Sequence, residues 1–123
     1  MGWDIAVGLE HRASLAQVGE ALADAGLNIG GGTIVLCDGR ATVHLLVDDP
    51  DAATAALNNV GIEVGRTRAV VSLKIEDRVG ALGEMARKLF DAAVSLDLMY
   101  LATDGSLILG VDDMEAAREA VAE

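Results

Sequence analysis

The residues best suited to chemistry lie in one stretch, Ile75-Glu76-Asp77-Arg78-Val79-Gly80-Ala81-Leu82. It places two carboxylates and a guanidinium just before a glycine, where a strand pattern ends and a helix pattern begins. The first N–H groups of a helix have no acceptor inside the helix, and glycine allows close approach to them. We therefore expect this turn to bind a small anion, such as an amino acid carboxylate, unless Asp77 caps the helix itself.

The other reactive side chains do not form a catalytic or metal site in the sequence. His11 and His44 have no carboxylate at helical spacing, and we expect a solvated loop residue and a surface or subunit-contact residue. Cys37 has no base near it in sequence and is predicted to be a small buried hydrophobe. Gly30-Gly31-Gly32 lacks the Gly-Lys-Ser/Thr ending of a phosphate loop, which favours a bulge or a close backbone contact. We predict no catalytic residue, no metal and no cofactor.

Composition and charge narrow the classes of partner. The 123 residues are 52% hydrophobic, which suffices for a core, and the formal charge of −11 repels nucleic acid and anionic lipid surfaces. One cysteine excludes an internal disulfide. The first residues show no secretory leader, and no apolar run is long enough to span a membrane. We expect a cytoplasmic protein without nucleic acid or membrane partners.

Two hydrophobic periods define the elements that must position the turn. Alternating residues predict strands near 4–9, 27–37, 41–47, 62–64 and 70–75. Apolar residues three and four apart predict helices near 15–25 and 50–59 and a helix beginning at 82. Asp38-Gly39 predicts a hairpin turn, and the acidic pairs Asp48-Asp49 and Asp112-Asp113 are predicted to cap helices rather than to act as paired catalytic carboxylates.

The chain contains an internal repeat. Ile5, Val7 and Leu9 recur 66 residues later as Val71, Leu73 and Ile75, and the helix positions of the first half recur 67 residues later. Because these matches keep their order over whole supersecondary units, we predict two domains, 1–67 and 68–123. The second copy has no counterpart of the strand at 62–64. The edge left open beside 70–75 predicts pairing with another subunit or with a rearranged strand of the chain.

These motifs resemble a tandem pair of ACT domains, which are ferredoxin-like βαββαβ modules that bind amino acids and regulate metabolic enzymes. Asp77-Arg78-Val79-Gly80-Ala81-Leu82 is similar to the family's Asp-Arg-Pro-Gly-x-Leu turn, with Val79 in place of proline. Ala25-Gly26-Leu27-Asn28-Ile29 is similar to its Ala-Gly-Ile-Asn-Ile segment. The resemblance implies an α+β fold with antiparallel sheets, helices on one face and no last strand in the second repeat.

The resemblance also implies where ligands bind, namely where the turn of one domain faces the second strand of a neighbouring one. It assigns one site to Arg78, Val79, Gly80, Ala81 and Leu82 together with Asn28 and Ile29. It assigns a pseudo-equivalent site to Arg12, Ala13, Ser14 and Leu15 together with Ser95 and Leu96. We favour the first site, because it keeps the glycine turn and an amide side chain.

The sequence therefore predicts a non-catalytic regulatory module. It would bind a free amino acid at an interface between ACT domains, form a homodimer and act on a metabolic enzyme. An alternative remains open. The shortened first turn, the missing proline and Ser95 in place of asparagine favour an assembly module without ligand that acts by protein–protein contact.

Overall fold

The computed structural model describes residues 2–9 and 14–122, which contain six strands and four helices. Their order is β1 (Gly2–Leu9), α1 (Leu15–Asp24), β2 (Gly31–Cys37), β3 (Arg40–Val47), α2 (Pro50–Asn59), β4 (Arg66–Leu73), α3 (Ala81–Asp91), β5 (Leu96–Leu101), β6 (Leu107–Val111) and α4 (Met114–Val121). None of the helices among these residues is long and apolar enough to cross a membrane.

The chain forms two compact units, Gly2–Ala69 and Val70 onward, and the boundary falls within β4. In the first unit β3 lies between β2 and β1, and both pairings are antiparallel. The alternate residues Ile5, Val7, Val43 and Leu45 of these strands pack against Val18 and Leu22 of α1 and Leu57 of α2. The sheet is thus covered by helices on its apolar face.

The second unit repeats this arrangement. In it β6 lies between β4 and β5, again with antiparallel pairing. Val71, Leu107 and Leu109 pack with Leu89 of α3 and Ala117 of α4. The described residues contain no strand after α4. The predicted α+β class, with two ferredoxin-like repeats and an incomplete second one, is confirmed.

Local signals explain most of the element boundaries. Asp49 and Asp113 accept hydrogen bonds from the N–H groups of Ala52 and Ala116, so one aspartate of each acidic pair caps a helix as predicted. Gly32 faces the backbone of β3 so closely that a Cβ there would lie 2.5 Å from the His44 carbonyl oxygen. The glycine run is therefore a close backbone contact, which is one of the two predicted roles.

Three predictions made from periodicity are wrong in detail. Residues 62–64 are not a strand; Ile62 is buried in the first core, and the Gly65 N–H bonds to the Ala6 carbonyl oxygen at 2.8 Å. Residues 27–29 precede β2 rather than belonging to it. Cys37 is exposed, because it ends an edge strand at the hairpin turn and no helix covers it.

Candidate functional site

The segment between β4 and α3 makes a tight turn. The Arg78 N–H bonds to the Glu76 carbonyl oxygen at 3.0 Å, and the Ala81 N–H bonds to the Arg78 carbonyl oxygen at 3.3 Å. Gly80 has φ of 89° and ψ of −10°, which is the third position of a type II turn over residues 78–81. This position favours glycine, which accounts for Gly80 in the predicted motif.

The N-terminus of α3 differs from those of the other three helices. Ser14, Asp49 and Asp113 cap α1, α2 and α4 with their side chains. The N-cap of α3 is Gly80, which makes no side-chain cap hydrogen bond. Asp77 does not cap α3, so the first helical N–H groups beyond Ala81 are open to an external acceptor.

A cavity of about 460 Å³ opens beside this helix start, entirely within the second unit. Its walls come from the strand-to-helix turn, the first turn of α3, strand β5 and the start of β6. The apolar lining residues are Ile75, Ala81, Leu82, Met99, Tyr100, Leu101 and Leu107. Glu76, Asp77 and Arg78 supply the charged part of the lining. This combination suits a small molecule with one apolar part and charged groups.

Arg78 carries two ion pairs. Its Nη1 and Nη2 lie 2.7 and 2.9 Å from the two carboxylate oxygens of Glu84, and its Nε lies 3.4 Å from a Glu76 oxygen. The forked pair with Glu84 raises the pKa of Arg78 and, with a smaller contribution from Lys88, lowers the pKa of Glu84. The guanidinium, which the resemblance assigns to ligand binding, is therefore paired with the chain's own carboxylates.

A second cavity, of about 370 Å³, lies on the other side of Arg78. Lys74, Glu76, Arg78, Glu84 and Lys88 line it, together with Ile75, Ala81, Met85 and Val121. Arg78 thus borders both cavities, whereas Glu84 borders only the polar one. The described residues contain no group of three or more His, Cys, Asp or Glu side chains suited to a metal ion.

Comparisons with known proteins bear on the fold. No family model and no curated protein matches the chain. Among solved structures, protein BT0572 from Bacteroides thetaiotaomicron is similar with a TM-score of 0.81 and 23% identity, over 98% of this chain and 84% of that one. The regulatory subunits of aspartate kinase from Thermus thermophilus and Thermus flavus are similar with TM-scores of 0.68 and 0.65. They are 17% and 20% identical, over 98% of this chain and 86% and 90% of theirs. The fold is ACT-like.

Within this ACT-like fold, the residues expected to bind ligand separate into three groups. Arg78, Ala81 and Leu82 line the larger cavity, while Val79 is fully exposed and Gly80 forms the turn beside it. Asn28 and Ile29 lie in the first unit, before β2, where Ile29 packs against the first core. Arg12 and Ala13 lie outside the described residues.

The remaining predicted residues have structural roles in the described chain. Ser14 caps α1 in a capping box with Gln17, and Leu15 is exposed. The Ser95 N–H bonds to an Asp112 carboxylate oxygen at 3.0 Å, and Leu96 begins β5. The structure therefore shows no cavity built from Ser14, Leu15, Ser95 and Leu96 together among those described.

The sequence analysis missed Met99, Leu101, Leu107 and Glu84 as residues of this region. The first three come from β5 and β6, and only the pairing of these strands brings them to the turn. Glu84 had a signal in sequence, since it is an acidic residue in the first turn of a helix that follows an arginine. Its contact with Arg78, six residues earlier, depends on the shape of the turn.

Proposed function

We propose that this chain is a non-catalytic regulatory module whose second unit binds a free amino acid at the start of α3 and transmits that binding to a metabolic enzyme. One observation carries the proposal: the only helix start without a side-chain cap among the described residues opens beside an apolar cavity of about 460 Å³. The ACT-like fold, shared with regulatory subunits of aspartate kinase, supports a regulatory role.

The chemistry of the cavity suits a zwitterion. The ligand carboxylate would accept hydrogen bonds from the N–H groups of Leu82 and Gly83, in the favourable field of the helix N-terminus. The ammonium group would pair with Asp77, whose exposed carboxylate borders the cavity. The ligand side chain would contact Met99, Leu101 and other apolar residues of the wall. We therefore expect amino acids with apolar side chains to bind most tightly.

The proposal includes residues that the family resemblance assigns to a second ACT-type domain. Asn28 would accept a hydrogen bond from the ligand ammonium through its side-chain carbonyl, and Ile29 would add apolar contact. A homodimer would supply further ACT-type domains, and the pseudo-equivalent residues Arg12, Ala13, Ser14, Leu15, Ser95 and Leu96 belong to the same proposal.

A thermal-shift and calorimetric screen against the twenty amino acids tests binding. A ligand present at 100 times its dissociation constant stabilises a protein by about 2.7 kcal/mol, which is a shift of several degrees. Leu101→Glu places a charge in the cavity wall and should weaken binding at least about tenfold, since it buries a charge against the ligand. Leu36→Glu, an equally exposed leucine on β2 outside the cavity, should leave binding unchanged. Equal binding by both variants would move the site elsewhere.

A specific observation also favours the alternative, an assembly module without ligand. Strand β5 pairs only with β6 within its unit, and its side chains Leu96, Met99 and Leu101 are exposed. Strand β2 similarly exposes Ile34, Val35 and Leu36. Exposed apolar edge strands favour pairing with another chain. Silence of the wild-type chain in the amino acid screen, together with loss of self-association in Leu36→Glu and Leu101→Glu, would favour this alternative.

A further inference from the structure

Glu84 occupies a place that an external carboxylate would need. It forms the forked pair with Arg78, which supplies both of its terminal nitrogens to the two oxygens of this one side chain. Its Oε2 atom also lies 3.6 Å from the position that a Cβ of Gly80 would take, so the carboxylate folds back toward the N-cap of α3. Among the described residues, it is the acidic residue of α3's first turn.

The matching position of the first repeat shows that a charge is not required for this backbone. Glu84 corresponds to Gln17, 67 residues earlier. Gln17 also folds back, and its Oε1 accepts a hydrogen bond from the Ser14 N–H at 3.0 Å. The first repeat therefore places a neutral amide where the second places a carboxylate that neutralises an arginine.

We propose that Glu84 is an internal competitor of the ligand, which must displace it from Arg78 in order to bind. This inference rests on the proposed function and adds its regulation. In the free protein Arg78 pairs with Glu84 beside the polar cavity. In the complex the guanidinium, which borders both cavities, pairs with the ligand carboxylate instead. The released Glu84 then pairs with Lys88, four residues later on α3 and already one source of its electrostatic stabilisation.

This exchange converts ligand binding into a change on α3. Both partners of the pair are substantially exposed, with 46% of the Arg78 side chain and 60% of the Glu84 side chain accessible. Exposed pairs are weak, so a ligand can replace one without a large penalty. The ion pair thus lowers the affinity for a carboxylate and sets the concentration at which the module responds.

The test compares Glu84→Gln with Glu115→Gln. Both replace a glutamate in the first turn of a helix and change the net charge equally, but Glu115 belongs to α4. Calorimetry with the amino acid that binds best should show about two- to fivefold tighter binding to Glu84→Gln than to the wild type. Glu115→Gln should bind as the wild type does. The difference should shrink toward 1 M salt, because salt screens exposed pairs.

The outcomes separate this inference from the proposed function. Tighter binding by Glu84→Gln, or binding by that variant alone, supports it. Equal or weaker binding by Glu84→Gln overturns the competition and leaves the proposed function standing. Absence of binding by both proteins overturns both. As an independent readout, NMR titration of the Glu84 carboxyl should show its pKa rising when ligand is added, and an unchanged pKa would contradict the exchange.

Discussion

Asp4 and His44 form a hydrogen-bonded pair across neighbouring strands of the first unit. The His44 Nδ1 lies 2.8 Å from the Asp4 Oδ2, and Asp4 is only 1% exposed. Ile5 and Val7 point to the helix-covered core, so alternation places Asp4 on the opposite face of β1. Because a carboxylate accepts hydrogen bonds, the Nδ1 of His44 donates here. The sequence analysis predicted His44 as a surface or subunit-contact residue and did not foresee this partner.

Removing this imidazole should destabilise the protein. His44→Ala takes a donor away from a buried carboxylate, and we expect the free energy of unfolding to fall by about 1–3 kcal/mol. His44→Gln keeps an N–H donor and should lose less. Urea denaturation followed by Trp3 fluorescence measures both variants. A midpoint for His44→Ala equal to that of the wild type would show that the pair contributes no stability.

The C-termini of α1 and α3 use the same motif with different residues. Gly26 and Ala93, 67 positions apart, both have positive φ, at 74° and 59°. In each case the next residue, Leu27 or Val94, donates a hydrogen bond back into the helix in the Schellman pattern. Alanine is strained in this conformation, so Ala93→Gly should stabilise the protein by about 1 kcal/mol. Gly26→Ala should destabilise it by a similar amount, since no neighbouring atom limits the space at Gly26. Thermal denaturation of both variants should show shifts of opposite sign, and shifts of the same sign would contradict this account.

Val79 occupies the second position of the type II turn, where proline is favoured. Its side chain is fully exposed, so Val79→Pro loses no packing and restricts the unfolded chain. We expect a gain of about 0.4–1 kcal/mol, measured by chemical denaturation. Val60→Pro is the matched control: Val60 is also exposed, but its N–H bonds to the Leu57 carbonyl oxygen at 3.1 Å. That variant should be destabilised. Destabilisation by Val79→Pro would show that the turn does not accept a proline.

Acid should weaken the second hairpin through Asp104. The Ser106 N–H donates to an Asp104 oxygen at 2.9 Å, and this hydrogen bond is the main reason why the pKa of Asp104 is lowered. A lowered folded-state pKa stabilises the protein above the unfolded value of about 3.9. That contribution is lost as the pH falls through the lower folded-state pKa.

Asp104→Asn removes this titration, so its free energy of unfolding should fall less steeply than that of the wild type below about pH 4. Glu63→Gln, an exposed change in the segment before β4, serves as the control. Denaturation series from pH 7 to pH 2 would decide it, and parallel curves for the wild type and Asp104→Asn would contradict the assignment.

Elements with local causes were predictable from the sequence. The helix at 50–59 was predicted with its observed ends, because Asp49 and Pro50 determine its start through short-range hydrogen bonding and fixed φ. The hairpin turn at Asp38-Gly39 was likewise predicted, since two residues with positive φ suit this pair. The repeat in the sequence then predicted the order of the elements in the second unit.

The tertiary structure decided which of these residues meet. Leu15 and Leu82 follow the apolar helix period, yet both are 46% exposed, because periodicity identifies a helix face but not how far the sheet extends beneath it. The cavity wall at Met99 and Leu101 depends on pairing between β5 and β6, and the partner of Arg78 depends on the path of the turn. The sequence by itself determined the elements, their caps and the glycine turn, since each arises from interactions within a few residues. The site required the tertiary structure, because its residues are brought together only by long-range strand pairing and packing.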